Sequence, residues 1–448
     1  MNADVIVVGG GLAGLNAARD LVAGGVDVIV LEARGRPGGR VEQTRMADGR
    51  IVQLGGEVVG SFHEAYIELV SELGLTLVPA FPDLPGAETW MMADGHHVGD
   101  DPPWFDDADR AAYARADAAF AKLARTVDPD DPWSHPDATA LDDTSVGDWL
   151  RAQGATPNVL RAREVAMLSL SAESVERTSL LSDLRKEAAA GAHGFYDYDV
   201  WEHLRVAEGS ATVALTIAEQ LGHRIRYASP VARITVGGRA GGPRRSRAVT
   251  ANGERFEADA VVCAVPVGPL RNIRIDGVSA ERLGSLDRQR HALAAKAVFV
   301  YPDSFWEANG QNGAAYFETA IMGGTWVQRE GIVSALVPPE RLAPMLATSP
   351  AQLESELVAE MAAAFGERAR DPEAVFLRRW GVDPYTLGYI TAWRPGDVMA
   401  VGPLHATHEP PFYVCGSDQW VCGYMEGAVR TGRAAAAAAL SACATSPP

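Results

Sequence analysis

The chain has 448 residues, 47% apolar and 22% charged, a globular composition long enough for two or three domains. Its formal net charge of −18 disfavours nucleic acid and anionic membrane surfaces as partners. The four cysteines, Cys263, Cys415, Cys422 and Cys443, lack zinc-type spacing, so we predict reduced structural thiols, no metal site and a cytoplasmic location.

The first predicted element is a strand that runs into a glycine-rich turn. The apolar run Val5–Val8 predicts a buried parallel strand, and Gly9, Gly11 and Gly14 follow it with the spacing G-x-G-x-x-G. A helix that begins after such a turn presents free N–H groups to phosphates, so the pattern predicts dinucleotide binding. Because the strand starts so near the N-terminus, we expect no signal peptide.

A second strand ends at Leu31 and is followed by an acid. Glu32 is placed to accept hydrogen bonds from ribose hydroxyls. The run after it, Arg34-x-x-x-Gly38-Gly39-Arg40, adds two glycines and two arginines near the same phosphates. This run resembles the second fingerprint of the glutathione-reductase-like FAD proteins, and we therefore predict FAD rather than NAD.

The middle of the chain alternates between two kinds of pattern. Residues 51–79 continue the nucleotide-binding pattern through Gly55-Gly56-Glu57. Residues 80–203 are rich in Pro, Asp, Ala and Trp, and we predict a mostly helical insertion there. The sheet pattern returns near residue 205, with antiparallel strands that include Val231 and a buried strand over 258–266.

The composition changes again from residue 291, where several short strands and one helix, 351–365, are expected. The last segment, 412–439, predicts strand, loop and helix, and its alanine-rich tail is too weakly apolar to span a bilayer. We predict an α/β (α+β) fold. In it, a Rossmann-like FAD-binding domain of glutathione-reductase type (1–79, 204–290, 394–448) is interleaved with a mixed substrate-binding domain (80–203, 291–393).

The most specific signal lies between Tyr413 and Arg430, YVCGSDQWVCGYMEGAVR. Together with the N-terminal fingerprint, Ala264-Val-Pro266 and Trp380…Gly388-Tyr389, it resembles the flavin-containing amine oxidases. This family includes monoamine oxidase, polyamine oxidase and L-amino-acid oxidases, and the resemblance runs from residue 4 to about 436. Gly388 stands where the covalent monoamine oxidases carry their flavin-linking cysteine, so the resemblance implies non-covalent FAD.

The resemblance also implies catalytic residues. Tyr389 and Tyr424 match two aromatic side chains that stand before the flavin and hold the substrate amine by its apolar flanks and by cation–π attraction. Lys296 matches a lysine that holds a water against flavin N5. The alternatives are two ordinary core tyrosines and an exposed lysine on a strand.

Further matches concern the cofactor. Asp418 lies where the family usually has a glutamate that contacts the ribityl chain, and Trp380 matches a tryptophan near the flavin. A helix that begins near Met425 would direct its N–H groups at the flavin pyrimidine ring and favour the reduced cofactor. The predicted cofactor-binding residues are Gly9, Gly11, Gly14, Glu32, Ala33, Arg34, Gly39, Arg40, Gly55, Gly56, Glu57, Val231, Trp380, Gly416, Asp418, Gly423, Tyr424 and Met425.

Two more residues, Trp201 and Glu202, are predicted to bind substrate together with the tyrosine pair. The surrounding run, with Asp197 and Asp199 between Tyr196 and Tyr198, would suit a cationic substrate; the alternative is a solvated loop. No arginine stands out as the carboxylate clamp that an L-amino-acid oxidase needs.

The resemblance implies oxidation of a C–N bond. Hydride transfer from the C–H next to the amine nitrogen to flavin N5 gives an imine, which water hydrolyses to a carbonyl, and dioxygen is reduced to hydrogen peroxide. The expected partners are a small amine and dioxygen, and the family suggests a homodimer. The alternatives are an L-amino-acid oxidase, a tailoring oxidase or desaturase of secondary metabolism on the same fold, and a flavin-binding protein without turnover.

Overall fold

The structure, a computed structural model, describes residues 2–81, 85–100, 102–170, 173–237 and 245–445. Its strands, in chain order, are β1 (Val5–Val8), β2 (Val28–Leu31), β3 (Gln43–Arg45), β4 (Ile51–Gln53), β5 (Val58–Val59), β6 (Leu77–Pro79), β7 (Ala87–Met92), β8 (Gly95–Val98), β9 (Leu204–Val206), β10 (Ile225–Arg226), β11 (Val231–Thr235), β12 (Ser246–Thr250), β13 (Arg255–Ala258), β14 (Ala260–Cys263), β15 (Arg274–Asp276), β16 (His291–Ala292), β17 (Ala295–Val300), β18 (Gln311–Phe317), β19 (Gly324–Arg329), β20 (Ile332–Val337), β21 (Ala374–Arg378), β22 (Ile390–Thr391) and β23 (Phe412–Val414).

The α-helices, in the same order, are α1 (Leu12–Ala23), α2 (Glu64–Glu72), α3 (Asp107–Ala124), α4 (Ala138–Asp143), α5 (Val146–Ala152), α6 (Pro157–Leu170), α7 (Leu180–Ala190), α8 (Tyr198–Trp201), α9 (Ser210–Leu221), α10 (Val267–Leu270), α11 (Ala280–Arg288), α12 (Pro339–Ala347), α13 (Pro350–Phe365), α14 (Asp397–Val401) and α15 (Tyr424–Thr445). Among the described residues, none of these helices is both long and apolar enough to cross a bilayer.

A parallel sheet with the strand order β10-β2-β1-β14-β23 organises the nucleotide-binding part. Its central strand β1 is entirely buried, as the apolar run predicts. Helices α1, α9 and α15 pack on one face and the antiparallel sheet β13-β12-β11-β15 packs on the other, so both faces are covered, as a parallel sheet requires. The carboxyl ends of its strands meet at one edge, where ligands bind in folds of this class.

Close packing of α1 against its neighbours depends on small residues. A Cβ on Gly432 of α15 would lie 2.4 Å from the carbonyl oxygen of Ala13 in α1. The backbones of α1 and α15 are therefore in direct contact at this point. The apolar side chains of α1, among them Leu15 and Leu21, fill the core beneath. This contact fixes the start of α15 against the glycine-rich turn.

A second, mixed sheet has the order β21-β17-β20-β19-β18-β7-β8. Its edge hairpin, β7–β8, belongs to residues 80–203, which are otherwise mostly helical as predicted, with α3 to α8; the prediction did not include the hairpin. The hairpin is held by parallel pairing of β7 with β18, a partner more than two hundred residues away, which local patterning does not reveal. The prediction of one helix in 291–393 is wrong, because α12 precedes α13.

Strand β17 lies inside this sheet, between β20 and β21, and carries Lys296. All of its residues are buried, because α13 covers one face and the β3–β4 hairpin packs on the other. On the second face Val298 and Val300 contact Val52 of β4. The observed sheets and helices give the predicted α/β class, whereas the domain boundaries given above stay a prediction.

Candidate active site

A continuous cavity of about 640 Å³ extends from the carboxyl edge of the parallel sheet to the mixed sheet. Among the predicted site residues, Gly14 and Trp201 do not line it. Those that do are Gly9, Gly11, Glu32, Ala33, Arg34, Gly39, Arg40, Gly55, Gly56, Glu57, Val231, Lys296, Trp380, Tyr389, Gly416, Asp418, Gly423, Tyr424, Met425 and Glu202.

The glycine-rich turn forms one end of the cavity. Gly9 has φ = +107°, and a Cβ on Gly14 would lie 1.9 Å from the Gly9 carbonyl oxygen, so Gly14 allows the helix to approach the turn. Gly11 precedes α1, and no side chain caps that helix, so its first N–H groups remain available to a ligand at the cavity.

The Glu32 carboxylate is fixed by backbone amides of two loops. Gly10 N donates to Glu32 Oε2 at 2.7 Å, and Arg34 N donates to Oε1 at 2.8 Å. Burial raises the pKa of Glu32, and the two amides oppose that rise. Each carboxylate oxygen keeps a lone pair for a ribose hydroxyl, so the site fits the predicted contact.

The second glycine pair packs directly on the first turn. Gly38 N donates to the Gly10 carbonyl at 2.8 Å, and a Cβ on Gly39 would lie 3.1 Å from the Gly11 Cα. Arg34, beside them, pairs with Asp383 at 2.6 Å. No local pattern associates Asp383 with this site, because it lies 349 residues further along the chain than Arg34.

Arg40 and Asp418 form the centre of a buried polar network. Arg40 donates to Asp418 Oδ1 at 2.8 Å and to the Tyr389 carbonyl at 3.0 Å. Asp418 Oδ2 accepts from Val267 N at 3.1 Å and lies 3.0 Å from His291 Nε2. Burial alone would raise the pKa of Asp418, but Arg40 and His291 hold it well below its usual range. Asp418 therefore lines the cavity as a carboxylate that is already paired with protein groups.

Several bare surfaces in the cavity fit a flavin dinucleotide. A Cβ on Gly416 would meet no atom within 4 Å, so the backbone there faces open space. The Tyr389 hydroxyl is buried and has no hydrogen-bond partner among the described residues. Helix α15 starts at Tyr424, so its positive end reaches the cavity as expected. Trp380 is held at the wall by donating to the Leu54 carbonyl at 3.0 Å.

Gly388 occupies a tight position beside the tyrosine that follows it. Its φ is +131°, and a Cβ there would lie 2.3 Å from the Cβ of His291. Its N–H donates to the Trp380 carbonyl at 3.1 Å. No side chain other than hydrogen fits at this point of the backbone.

Lys296 is buried, 5% exposed, so the alternative of an exposed lysine is wrong. Its Nζ donates to Glu57 Oε2 at 2.7 Å and to the Gly55 carbonyl at 3.0 Å, and lies 5.2 Å from the centre of the Trp326 ring. Burial lowers the pKa of Lys296, and the Glu57 carboxylate opposes the decrease. The Trp326 indole also donates to Glu57, so the carboxylate is held from two sides.

Tyr389 and Tyr424 line the same part of the cavity. Tyr424 has φ = +55°, an uncommon backbone conformation for a residue with a side chain, and it starts α15 from there. Its hydroxyl lies 3.0 Å from that of Tyr196, which donates to Glu202 Oε1 at 2.7 Å. Burial raises the pKa of both cavity tyrosines above the ordinary value, so both hydroxyls are protonated.

Trp201 supports this region from behind. Its ring stacks on Tyr196 with centroids 5.6 Å apart, and its Nε1 donates to Glu187 Oε1 at 2.9 Å. Of the acids in this run, Glu202 faces the cavity, whereas Asp197 caps α8. Asp199 is exposed on the surface. The solvated-loop alternative therefore describes these two aspartates and not Glu202.

The outer part of the cavity brings Tyr198 together with Tyr316 and Glu88, two residues that sequence reasoning missed. The Tyr198 and Tyr316 hydroxyls lie 2.7 Å apart, and Tyr316 donates to Glu88 Oε1 at 3.1 Å. Trp90 stacks on Tyr316 with a centroid distance of 4.2 Å. Glu88 lies on β7, in the segment predicted as helical, so no local pattern associated it with the site.

The charges of the cavity are distributed unevenly. The lining cations Arg34, Arg40 and Lys296 are each paired with a carboxylate. Glu202 and Glu88 line the part of the cavity beside the tyrosines, where Lys296, already paired with Glu57, is the cation that acts on Glu202. An electron-rich aromatic surface with carboxylates suits a cationic ligand.

Comparisons with known proteins identify a family and a shared fold. Residues 12–440 match the model of the family described as flavin containing amine oxidoreductase. The chain is 29% identical over 470 residues to the putrescine oxidase of Kocuria rosea, covering 98% of this chain and 95% of that protein.

Two solved structures share the fold. Wild-type putrescine oxidase bound to putrescine has a TM-score of 0.88 at 25% identity, covering 98% of this chain and 99% of that one. Cyclohexylamine oxidase from Brevibacterium oxydans IH-35A has a TM-score of 0.87 at 26% identity, covering 99% and 100%.

Proposed function

This chain belongs to the flavin-containing amine oxidoreductases, and we propose that its substrate is a small aliphatic amine with a second cationic group, such as a short diamine. It is an enzyme that oxidises C–N bonds with FAD, which it binds non-covalently. One observation carries the substrate class: the substrate end of the cavity combines tyrosines with the carboxylates of Glu202 and Glu88, and each cation in the described lining, Lys296 included, is already paired with another carboxylate.

The cofactor is assigned to the glycine-rich end. Gly9, Gly11 and the start of α1 would hold the pyrophosphate, Glu32 the ribose, and the start of α15 the flavin ring. FAD, when bound, supplies the acceptor for the two electrons of the C–H bond next to the amine nitrogen. The chain's own residues then have to bind, orient and deprotonate the amine.

Tyr389 and Tyr424 would hold the reacting amine between them. Both line the cavity beside Gly423 and Met425, at the end assigned to the flavin ring. The second amino group of a diamine would lie further out, where Glu88 is held by Tyr316 next to Tyr198. Because this outer region is acidic and aromatic, it favours an ammonium over a methyl group.

Lys296 would hold a water molecule at the reacting end. A lysine ammonium has three N–H donors, and the Gly55 carbonyl and Glu57 use two of them. The third is left to orient a water, whose nucleophilic attack on the imine product breaks the C=N bond, gives the carbonyl compound and releases the nitrogen as ammonia. We also propose that dioxygen is the final acceptor and hydrogen peroxide the second product. The cytoplasmic location and the homodimer stay predictions.

Flavin bleaching under anaerobic conditions tests the substrate class. The panel compares 1,4-diaminobutane with butylamine, which lacks the second amino group, and with ornithine, which adds an α-carboxylate. We expect kcat/KM for the diamine to exceed that for butylamine by about 30-fold, the value of a buried cation–π and carboxylate contact worth about 2 kcal/mol. Glu88→Gln should remove most of this preference and leave butylamine unchanged.

Two results would contradict the proposal. Equal rates for butylamine and for the diamine would mean that the outer carboxylate does not select the substrate. Faster bleaching by ornithine would favour the L-amino-acid oxidase alternative. A parallel aerobic assay with a peroxidase-coupled dye measures hydrogen peroxide and tests dioxygen as the acceptor.

A further inference from the structure

The amine has to lose a proton before it can be oxidised. An alkylammonium has a pKa of about 10, so nearly all of the substrate in solution at neutral pH is protonated. Formation of the C=N bond needs the nitrogen lone pair, and an ammonium has none. A site that takes up the abundant ammonium therefore needs a group that accepts its proton.

Three side chains form a continuous hydrogen-bonded path from the cavity to a carboxylate. The Tyr424 hydroxyl lies 3.0 Å from the Tyr196 hydroxyl, and Tyr196 donates to Glu202 Oε1 at 2.7 Å. Since the Tyr196 hydrogen is directed at Glu202, the Tyr424 hydrogen is free to be directed at Tyr196. The Tyr424 oxygen is then left as an acceptor on the cavity side.

We propose that Tyr424, Tyr196 and Glu202 form a proton relay that takes one proton from the substrate ammonium and delivers it to the Glu202 carboxylate. This inference rests on the proposed amine oxidation. The ammonium N–H proton passes to the Tyr424 oxygen, the Tyr424 proton passes to Tyr196, and the Tyr196 proton passes to Glu202 Oε1. The amine becomes neutral, Glu202 becomes a carboxylic acid, both phenols end unchanged, and no electrons move.

The acids nearby are less suited to accept this proton. Glu57 is already paired with Lys296 and accepts from the Trp326 indole. Glu187 lies behind the Trp201 ring and does not line the cavity. Glu57 and Glu202 both line the cavity, but Glu202 alone among these three accepts directly from a tyrosine of the path.

The surroundings of Glu202 favour a neutral amine with a protonated Glu202 over an ammonium with a Glu202 carboxylate. Burial raises the pKa of Glu202 to about 7; the Tyr196 hydrogen bond and Lys296 oppose the rise, and Glu57 adds to it. A substrate that fills the cavity excludes more water, which disfavours the ammonium and the carboxylate alike. The titratable and charged groups that act on Glu202 or are acted on by it are Tyr196, Tyr198, Tyr389, Tyr424, Lys296 and Glu57.

The two phenols transfer the proton without storing it. Burial raises the pKa of Tyr196 and Tyr424 well above the ordinary value for tyrosine, so neither remains as a phenolate. Glu202 is therefore the end of the path. When the relay is intact, the free enzyme, in which Glu202 is ionised, can bind the protonated amine. No proton then has to be exchanged with solvent.

The pH dependence of kcat/KM distinguishes the relay from a structural role. For the wild-type holoenzyme and 1,4-diaminobutane we expect an acid limb near pH 7 and a flat profile from pH 7.5 to 9.5. The Glu202→Gln and Tyr196→Phe variants cannot deprotonate a bound ammonium through the relay. They therefore have to bind the neutral amine, which is scarce in solution. Their kcat/KM should start about 100-fold lower at pH 7.5, rise tenfold per pH unit, and approach wild type near pH 9.5.

A binding measurement gives a second readout that needs no turnover. tert-Butylamine has no hydrogen on the carbon bonded to nitrogen, so it cannot be oxidised, and its binding is followed by the flavin absorbance. Its Kd should be independent of pH between 7.5 and 9.5 in wild type and should decrease tenfold per pH unit in both variants. Tyr301→Phe is the matched control, because that buried phenol donates to the Ala369 carbonyl at 3.1 Å and does not line the cavity.

The outcomes separate this inference from the proposed function. A flat profile in Tyr196→Phe with a sloping one in Glu202→Gln would overturn the relay, because Glu202 would then take the ammonium directly. Flat profiles in both variants would overturn Glu202 as acceptor while amine oxidation stands. Absence of bleaching with every amine at every pH would overturn the proposed function, and the catalytic role of the relay with it.

Discussion

At the scale of single residues, the cage formed by Tyr389 and Tyr424 makes a direct prediction. Tyr389→Ala and Tyr424→Ala should each lower kcat/KM for the diamine by about 30-fold, because each removes one of the two aromatic faces that flank the reacting amine, a buried contact worth about 2 kcal/mol. FAD should stay bound, as judged by its visible absorbance after gel filtration. Tyr389→Phe keeps the ring and loses only a hydroxyl that has no hydrogen-bond partner in the described part of the chain, so its kcat/KM should fall much less.

An unchanged rate in Tyr424→Ala would contradict the cage. Loss of FAD from either alanine variant would instead mean that the rings serve the cofactor rather than the substrate. The two effects are separable, because cofactor content is measured before the kinetic assay.

The raised pKa of Glu187 predicts that the stability of the protein depends on pH. Burial raises its pKa from 4.5 to about 8, so the folded state binds a proton that the unfolded state has already lost. The stabilisation is complete below pH 4.5 and is lost as the pH rises through 8. Glu187→Gln, which stays neutral and can still accept from Trp201, should gain up to about 5 kcal/mol relative to wild type across that range.

Thermal unfolding midpoints of both proteins between pH 5 and 9 measure this effect. The difference between the variant and wild type should grow with pH in favour of the variant. A difference between the unfolding midpoints that stays constant with pH would show that the pKa of Glu187 is the same in the folded and unfolded states. A difference that shrinks as the pH rises would mean that folding lowers the pKa of Glu187 instead of raising it.

At the scale of elements, the junction of β1 and α1 depends on the missing side chain of Gly14. A Cβ there would lie 1.9 Å from the Gly9 carbonyl oxygen, which forces α1 away from the turn. Gly14→Ala should cost about 3 kcal/mol and release FAD, since the turn is assigned to the pyrophosphate. Gly35→Ala is the control, because a Cβ there meets no atom within 4 Å.

Equilibrium FAD binding to the two apoproteins measures the difference. Gly35→Ala should bind FAD like wild type, while Gly14→Ala should bind at least tenfold more weakly. Equal binding by both variants would show that the close approach of α1 is not needed for the cofactor.

Elements with strong local patterns were predictable from the sequence. The buried run of β1, the glycine turn and the final helix α15 occur where the residues indicate, because propensity and burial agree there. The β7–β8 hairpin was not predictable, since its pairing with β18 joins segments far apart in the chain. Helix α12 begins with a proline and contains Pro344, which local patterning interprets as a break.

Residues of the candidate site were predictable where they belong to a sequence motif. They were not predictable where only the tertiary fold places them at the cavity. Tyr389, Tyr424 and Lys296 stand in motifs that resemble those of the family. Tyr316 and Glu88 do not, because they meet only through strand pairing in the mixed sheet. Trp201 was predicted to bind substrate, but its ring packs behind Tyr196 and does not line the cavity. The tertiary fold determines this position, and no local pattern indicates it.

At the scale of the whole molecule, Asp418 connects distant segments of the chain. It contacts Arg40 near the N-terminus, Val267 at α10, and His291 at the start of β16. A buried carboxylate with such partners holds together the parts of the structure that surround the flavin end of the cavity. Replacing it leaves the Arg40 guanidinium without its counter-charge.

Asp418→Asn should therefore destabilise the protein by about 3 kcal/mol and speed the release of FAD. Because Arg40 and His291 lower the pKa of Asp418, its contribution is present above pH 3.8 and is lost as the pH falls below that value. Urea unfolding at pH 7 and at pH 3.5 measures the difference, which should shrink at the lower pH. A difference that is equal at both values would mean that the charge of Asp418 is not what stabilises the fold.

The geometry around Gly388 has a consequence for anyone who wishes to tether the cofactor permanently. A cysteine installed there to form a thioether would need an unfavourable backbone angle and would overlap His291. Making room by shrinking His291 would cost Asp418 one of its partners and so loosen the Arg40 network. Reversible attachment is therefore enforced by the backbone, and not merely by the lack of a sulfur atom.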